Sequence, residues 1–292
     1  MSDYITVVEV GPRDGLQNQA KRLPTAAKVS LIEALADAGL KVIEAGAFVS
    51  PKWIPQMADS GEVLRSLHRH AGVRYPVLVP NLQGYEAARA AGADEVAVFA
   101  AASEAFTQKN INCTIAQSLD RFRPVCVRAR TERVVVRGYI SCALGCPYEG
   151  DVAIDRVVAI AEELADIGCS EISLGDTIGV GTASKTRDVL RAITASLPLD
   201  QIAVHFHDTY GMAKANIIAA LEEGVRIVDA SVGRLGGCPY AKGAPGNVGT
   251  EDVVLLLDEL GLSSGINLDR LVEIGVLVSE SLGRAYDHSR TN

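Results

Sequence analysis

The sequence predicts an α/β chain folded as a (β/α)8 TIM barrel with additional C-terminal helices. Three observations predict it. Eight β-rich runs recur along the 292 residues, each followed by a helical pattern. The runs are near-continuous in valine, isoleucine and alanine rather than alternating, which suits parallel strands covered on both faces. Helices end at a glycine just before the next strand, where a left-handed cap needs a residue without a Cβ.

The expected strands, in order, are ITVVEV (5–10), KVIEAGA (41–47), RYPVLVP (74–80) and DEVAVFA (94–100). They are followed by RVVVRGYISC (133–142), SEISLG (170–175), IAVHFH (202–207) and RIVDASV (226–232). Between them, TAAKVSLIEALADAGL reads as a helix with Thr25 at its N-cap and Gly39 at its end. DRVVAIAEELADIG closes at Gly168 and AKANIIAALEEG at Gly224 in the same way. Eight alternations over about 250 residues favour a closed barrel over an open doubly wound sheet. No G-x-G-x-x-G follows the first strand, which weakens a dinucleotide-binding reading. The last helical runs, EDVVLLLDELG and LDRLVEIGVLVSESLGRAY, close the barrel and extend past it. With no linker or low-complexity tract, residues 1–292 read as one catalytic domain.

Composition narrows the partners. A net charge of −8 without a basic stripe gives nucleic acid no electrostatic footprint. No apolar run approaches the roughly 18–20 residues that span a bilayer, so no membrane partner is expected. The N-terminus lacks the pattern of a secretory or organelle signal, and a cytoplasmic protein is the expectation. The six cysteines include no C-x-x-C pair. Cys142 and Cys146 lie four apart with no second pair, a poor pattern for structural zinc.

In a barrel of this kind, functional residues gather at the C-terminal ends of the strands. Arg13 and Asp14 follow the first strand, and Glu44 lies near the end of the second. Asp176 follows the sixth, His205 and His207 end the seventh, and Cys238 and Asn247 occupy the glycine-rich loop after the eighth. Strand side chains alternate, so His205 and His207 share a face and Phe206 points the other way. An isolated H-x-H more often ends a strand with one buried imidazole bonded to a carbonyl. Carboxylates converging on the same mouth turn the pair into half of a cation site. Arg13 is suited to holding an anion, or its charge could close the loop with Asp14. Cys238 is a candidate nucleophile or proton donor in a loop long enough to close over substrate.

The motifs VGPRDGLQN, FVSPKW, SCALGCPYEG, EISLGDTIGVG, VHFHDTYG and GGCPYAKGAPGN closely resemble the 3-hydroxy-3-methylglutaryl-CoA lyase family. The resemblance runs in order from about residue 5 to about residue 285. It implies a divalent cation, Mg2+ or Mn2+, on Asp14, His205, His207 and Asn247, and no nucleotide or redox cofactor. It implies retro-Claisen cleavage of an acyl-CoA substrate to acetyl-CoA and acetoacetate. Arg13 and Gln17 would contact substrate, with Arg13 facing the enolate charge. Cys238 would protonate the enolate carbon, and His205 or Asp14 would take the hydroxyl proton. Glu44 and Asp176 match acidic residues that tune the cation site and position these groups.

Lys52, Lys109 and Lys242, in mouth-side loops, are candidates for the CoA phosphates or plain surface charges. Three positions depart from the family pattern. Ala47 stands where serine is usual, Arg234 where a small residue is usual, and Pro245 where serine is usual. They bear on substrate size and loop closure more than on the chemistry. The alternatives are a sibling lyase for a longer 3-hydroxy-3-alkylglutaryl-CoA and a non-catalytic metal or acyl-CoA binding module. The sequence leaves open whether the chain forms a homo-oligomer.

Overall fold

Eight parallel strands wind into the barrel: β1 (Thr6–Glu9), β2 in two halves (Val42–Ile43 and Gly46–Ala47), β3 (Val77–Leu78) and β4 (Glu95–Ala101). β5 (Val135–Ser141), β6 (Glu171–Asp176), β7 (Ile202–Phe206) and β8 (Ile227–Ala230) complete it. The structure is a computed structural model that describes residues 3–237 and 246–286. β1 pairs with β8, and pairing continues through β7, β6, β5 and β4 to β3. The first half of β2 pairs with β1 and the second with β3, so the sheet closes on itself.

The interruption in β2 is shallow. The Ile43 and Ala45 amides donate to Arg74 and Pro76 on one side, and the Glu44 amide donates to Glu9 on the other. The single strand expected over 41–47 is therefore continuous in its hydrogen bonding. β3 is shorter than the 74–80 expected, and Pro76 and Pro80 explain why, since neither has an amide hydrogen to give a neighbour.

The helices among the described residues are α1 (Thr25–Asp37), α2 (Ser60–Ser66), α3 (Leu82–Ala90), α4 (Glu104–Ile111) and α5 (Ile115–Glu132). They continue with α6 (Ile154–Ile167), α7 (Ala183–Thr194), α8 (Ala213–Glu222), α9 (Thr250–Glu259) and α10 (Leu268–Leu282). No helix among the described residues is long and apolar enough to cross a membrane. Gly39, Gly168 and Gly224 take φ of +109°, +120° and +96° at the ends of α1, α6 and α8, as their positions before strands require. Thr25 corrects one expectation. It is the first residue of α1 rather than its cap, and its hydroxyl donates to Asp59 Oδ2 at 2.9 Å. The chain enters that helix through Pro24, whose extended ψ and fixed φ set the turn without a side-chain cap.

Most of the apolar core lies between the sheet and its helices, with fully buried Ile32, Leu35, Phe122, Leu164 and Ile172 among its largest members. A second, small cluster of Val8, Val10 and Val42 with Ile227 lies apart from it. Val8 is in register with Asp229, and Asp229 with His205, so this cluster lines the inside of the barrel. Around it the interior is charged. That is costly unless every charge is paired, and here the charges are paired with one another.

Candidate active site

The chain leaving β1 turns at once through a single wide π turn, Gly11–Gly15, with Pro12 in its second position. Two glycines make the turn possible. A Cβ on Gly15 would stand 2.6 Å from both Leu235 Cβ and Ser231 Oγ, and one on Gly11 would stand 2.5 Å from Glu9 Oε1. The turn thus presses against the chain leaving β8. It carries Arg13 and Asp14 over the mouth of the barrel, with Gln17 half-buried just beyond.

Opposite, β7 delivers His205 and His207. Their rings lie 5.5 Å apart between centroids, while Phe206 between them is buried in the helix-facing core. The alternation expected for H-x-H holds. One donor atom from each of Asp14, His205 and His207 lies within 4.8 Å of the others, and this is the one such group of three or more found among the described residues. Cys142 and Cys146 join no such group among the described residues.

Asn247 reaches the cluster because its segment lies antiparallel to the end of β7, bridging to His207. Its Nδ2 donates to Asp14 Oδ2 at 2.8 Å and to the Leu235 carbonyl at 3.2 Å. Two acceptors on the amide nitrogen set the side chain's orientation and leave Oδ1 as the atom for another partner.

The electrostatics suit a hard cation. Burial would raise the Asp14 carboxyl, but Arg13 and the two imidazoles outweigh it and bring the group down to about 2. Burial lowers His207 to about 4, His205 adds to that, and Asp14 only partly opposes it. His207 is therefore neutral, and its Nδ1 is buried with no hydrogen-bond partner. An unsatisfied imidazole nitrogen at a carboxylate–histidine cluster is what a metal ligand looks like before the ion is counted. His205 Nδ1 lies 3.2 Å from Asp229 Oδ2. Asp229 is held below its usual range, where burial that would raise it is outweighed by Arg137 and His205. The ionised carboxylate can only accept, so Nδ1 carries a hydrogen and is the donor in this contact. The residues present fit a divalent ion with oxygen and nitrogen ligands and no thiolate.

Arg13 sits between two carboxylates. Nε donates to Glu44 Oε2 and Nη1 to Asp14 Oδ1, each at 2.7 Å. Burial would weaken the guanidinium's charge, but Glu44 and Asp14 more than reverse that. Glu44, fully buried, also accepts from the Tyr139 hydroxyl at 3.4 Å. Tyr139 in turn accepts from Arg137 Nη1 at 2.8 Å. Arg137 grips Asp229 with two bonds, Nη2 to Oδ1 at 2.6 Å and Nη1 to Oδ2 at 3.1 Å, while Ser173 donates to Oδ2 at 3.0 Å. Glu171 stands 2.5 Å from Arg137 Nε. A continuous network thus runs from the bottom of the barrel to both sides of the cluster.

Asp176 does not join it, and this corrects the expected convergence. Asp176 is in register with Phe206, so its side chain leaves the strand on the helix-facing side. There it accepts the amides of Val180 at 3.1 Å and Gly181 at 2.8 Å and ties down the loop after β6. Its neighbour Gly175, in register with His205, is the residue that faces inward. The residues missed from sequence are Arg137, Tyr139 and Asp229. The signal of Arg137 and Asp229 is a charge in the middle of a run otherwise fit for a buried strand, RVVVRGYISC and RIVDASV. Cys238 and Lys242 lie outside the described residues. Lys52 is exposed, and Lys109 Nζ stands 3.7 Å over the Tyr148 ring at the mouth.

Comparison with known proteins gives one answer. The chain is 55% identical over 280 residues to the mitochondrial hydroxymethylglutaryl-CoA lyase of Rattus norvegicus, covering 96% of this chain and 86% of the relative. The crystal structure of hydroxymethylglutaryl-CoA lyase from Pseudomonas aeruginosa superposes with a TM-score of 0.97 at 53% identity, covering 100% of this chain and 97% of that one. A lyase of the same name from Acinetobacter baumannii, in complex with coenzyme A and 3-methylmalate, gives 0.94 at 36% identity, covering 99% and 94%. The HMGL-like family model matches residues 4–278. The chain belongs to the HMGL-like family.

Proposed function

We propose that this protein cleaves 3-hydroxy-3-methylglutaryl-CoA to acetyl-CoA and acetoacetate, with Mg2+ or Mn2+ held by Asp14, His205, His207 and Asn247. The observation that carries the reading is the converging cluster of Asp14, His205 and His207 at the barrel mouth, with one buried imidazole nitrogen left unsatisfied. The names of the similar lyases point to the methylglutaryl thioester and do not favour a longer-chain homologue.

A bound divalent ion would make the substrate's tertiary hydroxyl more acidic, as it does water. The chain's own residues divide the remaining work. Asp14 is kept ionised by Arg13 and the imidazoles, which at about 2 makes it a fully charged cation ligand and a weak base. His205 has Nδ1 committed to Asp229, so a ligating Nε2 leaves it no lone pair for a proton. His205 and Asp14 both stand as candidates for the group that takes the hydroxyl proton. Breaking the C2–C3 bond moves charge into the thioester enolate, and Arg13, fixed between Glu44 and Asp14, offers it a preorganised cation. Glu44 and Tyr139 hold the guanidinium in place, Gln17 would contact substrate, and Cys238 would supply the proton that the enolate carbon takes up.

The test is acetyl-CoA release from the methylglutaryl thioester by chelator-treated protein, with and without added Mg2+ or Mn2+. Release that depends on the ion is expected. The Cys238→Ala variant is expected to keep its cation affinity and lose most turnover. No acetyl-CoA from this thioester or its longer homologues would end the proposal.

A further inference from the structure

The chain that leaves β8 and the chain that enters α9 are laced together at their roots. The Ser231 amide donates to Val248 and the Thr250 amide to Ser231, while Gly233 donates to the Glu251 carboxylate at 2.8 Å. Arg234 adds the strongest tie. Its Nε donates to Asp252 Oδ2 at 2.6 Å and its Nη2 to Oδ1 at 2.8 Å, the two-pronged geometry that fixes both side chains. Asp252 is buried in the first turn of α9.

Arg234 is not an easy residue for this position. Its φ is +49°, in the left-handed region, where a side chain costs about 1–2 kcal/mol that glycine avoids. The surroundings are shaped to the arginine. A Cβ on Gly249 would stand 2.6 Å from Asp252 Oδ2 and 2.9 Å from Arg234 Cγ, so the pair needs a glycine beside it. The next residue, Leu235, supplies the carbonyl that accepts from Asn247 Nδ2.

We propose that Arg234 is a positioning residue: by clamping to Asp252 it fixes the Leu235 carbonyl, and through it the side chain of Asn247 against the cation cluster. The inference rests on the reading of Asn247 as a cation donor.

The experiment measures Mn2+ affinity by electron paramagnetic resonance on the substrate-free protein, beside thermal unfolding, for Arg234→Gly, Asp252→Asn, Arg234→Lys and Asn247→Ala. Arg234→Gly relieves strain while breaking the clamp, so its melting temperature should stay near that of the parent. Its Mn2+ affinity should fall about tenfold, the lower range for losing a residue that orients a ligand. Arg234→Lys keeps the charge without the fork and should fall between the two. Asp252→Asn, which leaves the residue-234 backbone unchanged, should match Arg234→Gly in affinity. Loss of affinity in Asn247→Ala with none in Arg234→Gly or Asp252→Asn would overturn the clamp alone. Unchanged affinity in Asn247→Ala would remove Asn247 from the cation site, and the clamp inference would fall with it.

Discussion

Replacing Asp229 with asparagine cuts the interior network at the point where it meets a histidine of the cation site. Two consequences can be sized from the geometry. The first is at His205, whose Nδ1 is oriented by Asp229 Oδ2 at 3.2 Å. Losing a carboxylate that orients a metal-bound imidazole costs about 10- to 100-fold in cation affinity, or about 1.4–2.7 kcal/mol. The second is at Arg137, whose side chain is 3% exposed and which loses the carboxylate it grips with two bonds. Removing one partner of a buried ion pair costs about 3–5 kcal/mol. Glu171 and Tyr139 remain in contact with the guanidinium, which places the cost near the lower end. For a domain of this size about 3 kcal/mol corresponds to a fall of about 6–12 °C in melting temperature. Manganese binding measured at a temperature where both proteins are folded, together with calorimetry, separates the two effects. Equal affinity would show that Asp229 does not orient His205. An unchanged melting temperature would show that the buried network is not held together as described.

Two further outcomes follow from other parts of the site. Burial pushes the Glu9 carboxyl up to about 7, only partly opposed by its bonds from Thr250, Val232 and Gly11, and Glu251 is likewise raised to about 7 by burial. The folded state therefore holds these protons more tightly than the unfolded chain, whose glutamates titrate near 4.5. Their contribution is fully present below about pH 4.5 and is lost as pH rises through about 7. Glu9→Gln removes one share of that slope, so its melting temperature should improve relative to the parent between pH 5 and pH 8; a constant difference would contradict the burial argument. Gly15→Ala should lower stability by about 1–3 kcal/mol, the usual cost of overpacking, because its Cβ would meet Leu235 and Ser231 at 2.6 Å. It should weaken Mn2+ binding as well, since Asp14 is carried by the same turn. A stable variant with full affinity would mean the turn is not seated against the β8 exit.

Legibility in the sequence followed how local each signal is. The eight strands could be read because valine-rich runs and the glycines that end helices depend on the nearest few residues. The closure through β2 agrees with that reading even though Glu44 and Ala45 interrupt its regular form. The facing histidines could also be read, since their spacing alone puts both on one side of β7. Asp176 could not. Whether the last residue of β6 faces the mouth or the helices depends on its register with Phe206, and nothing near Asp176 in the chain records that register.

The sequence by itself determined the alternation of strands and helices, the family of the chain, and the convergence of Asp14, His205, His207 and Asn247 on one mouth. Periodicity, caps and motifs are properties of short stretches, and these survive any uncertainty about packing. Only the tertiary structure decided that Asp229 orients His205, that Arg137 and Tyr139 link it to Glu44 and Arg13, and that Arg234 is clamped to Asp252. Arg137 and Asp229 are 92 residues apart and meet across the barrel interior. A charge in a buried strand is visible in one dimension, but its partner is chosen by register and closure, which exist only once the barrel has formed.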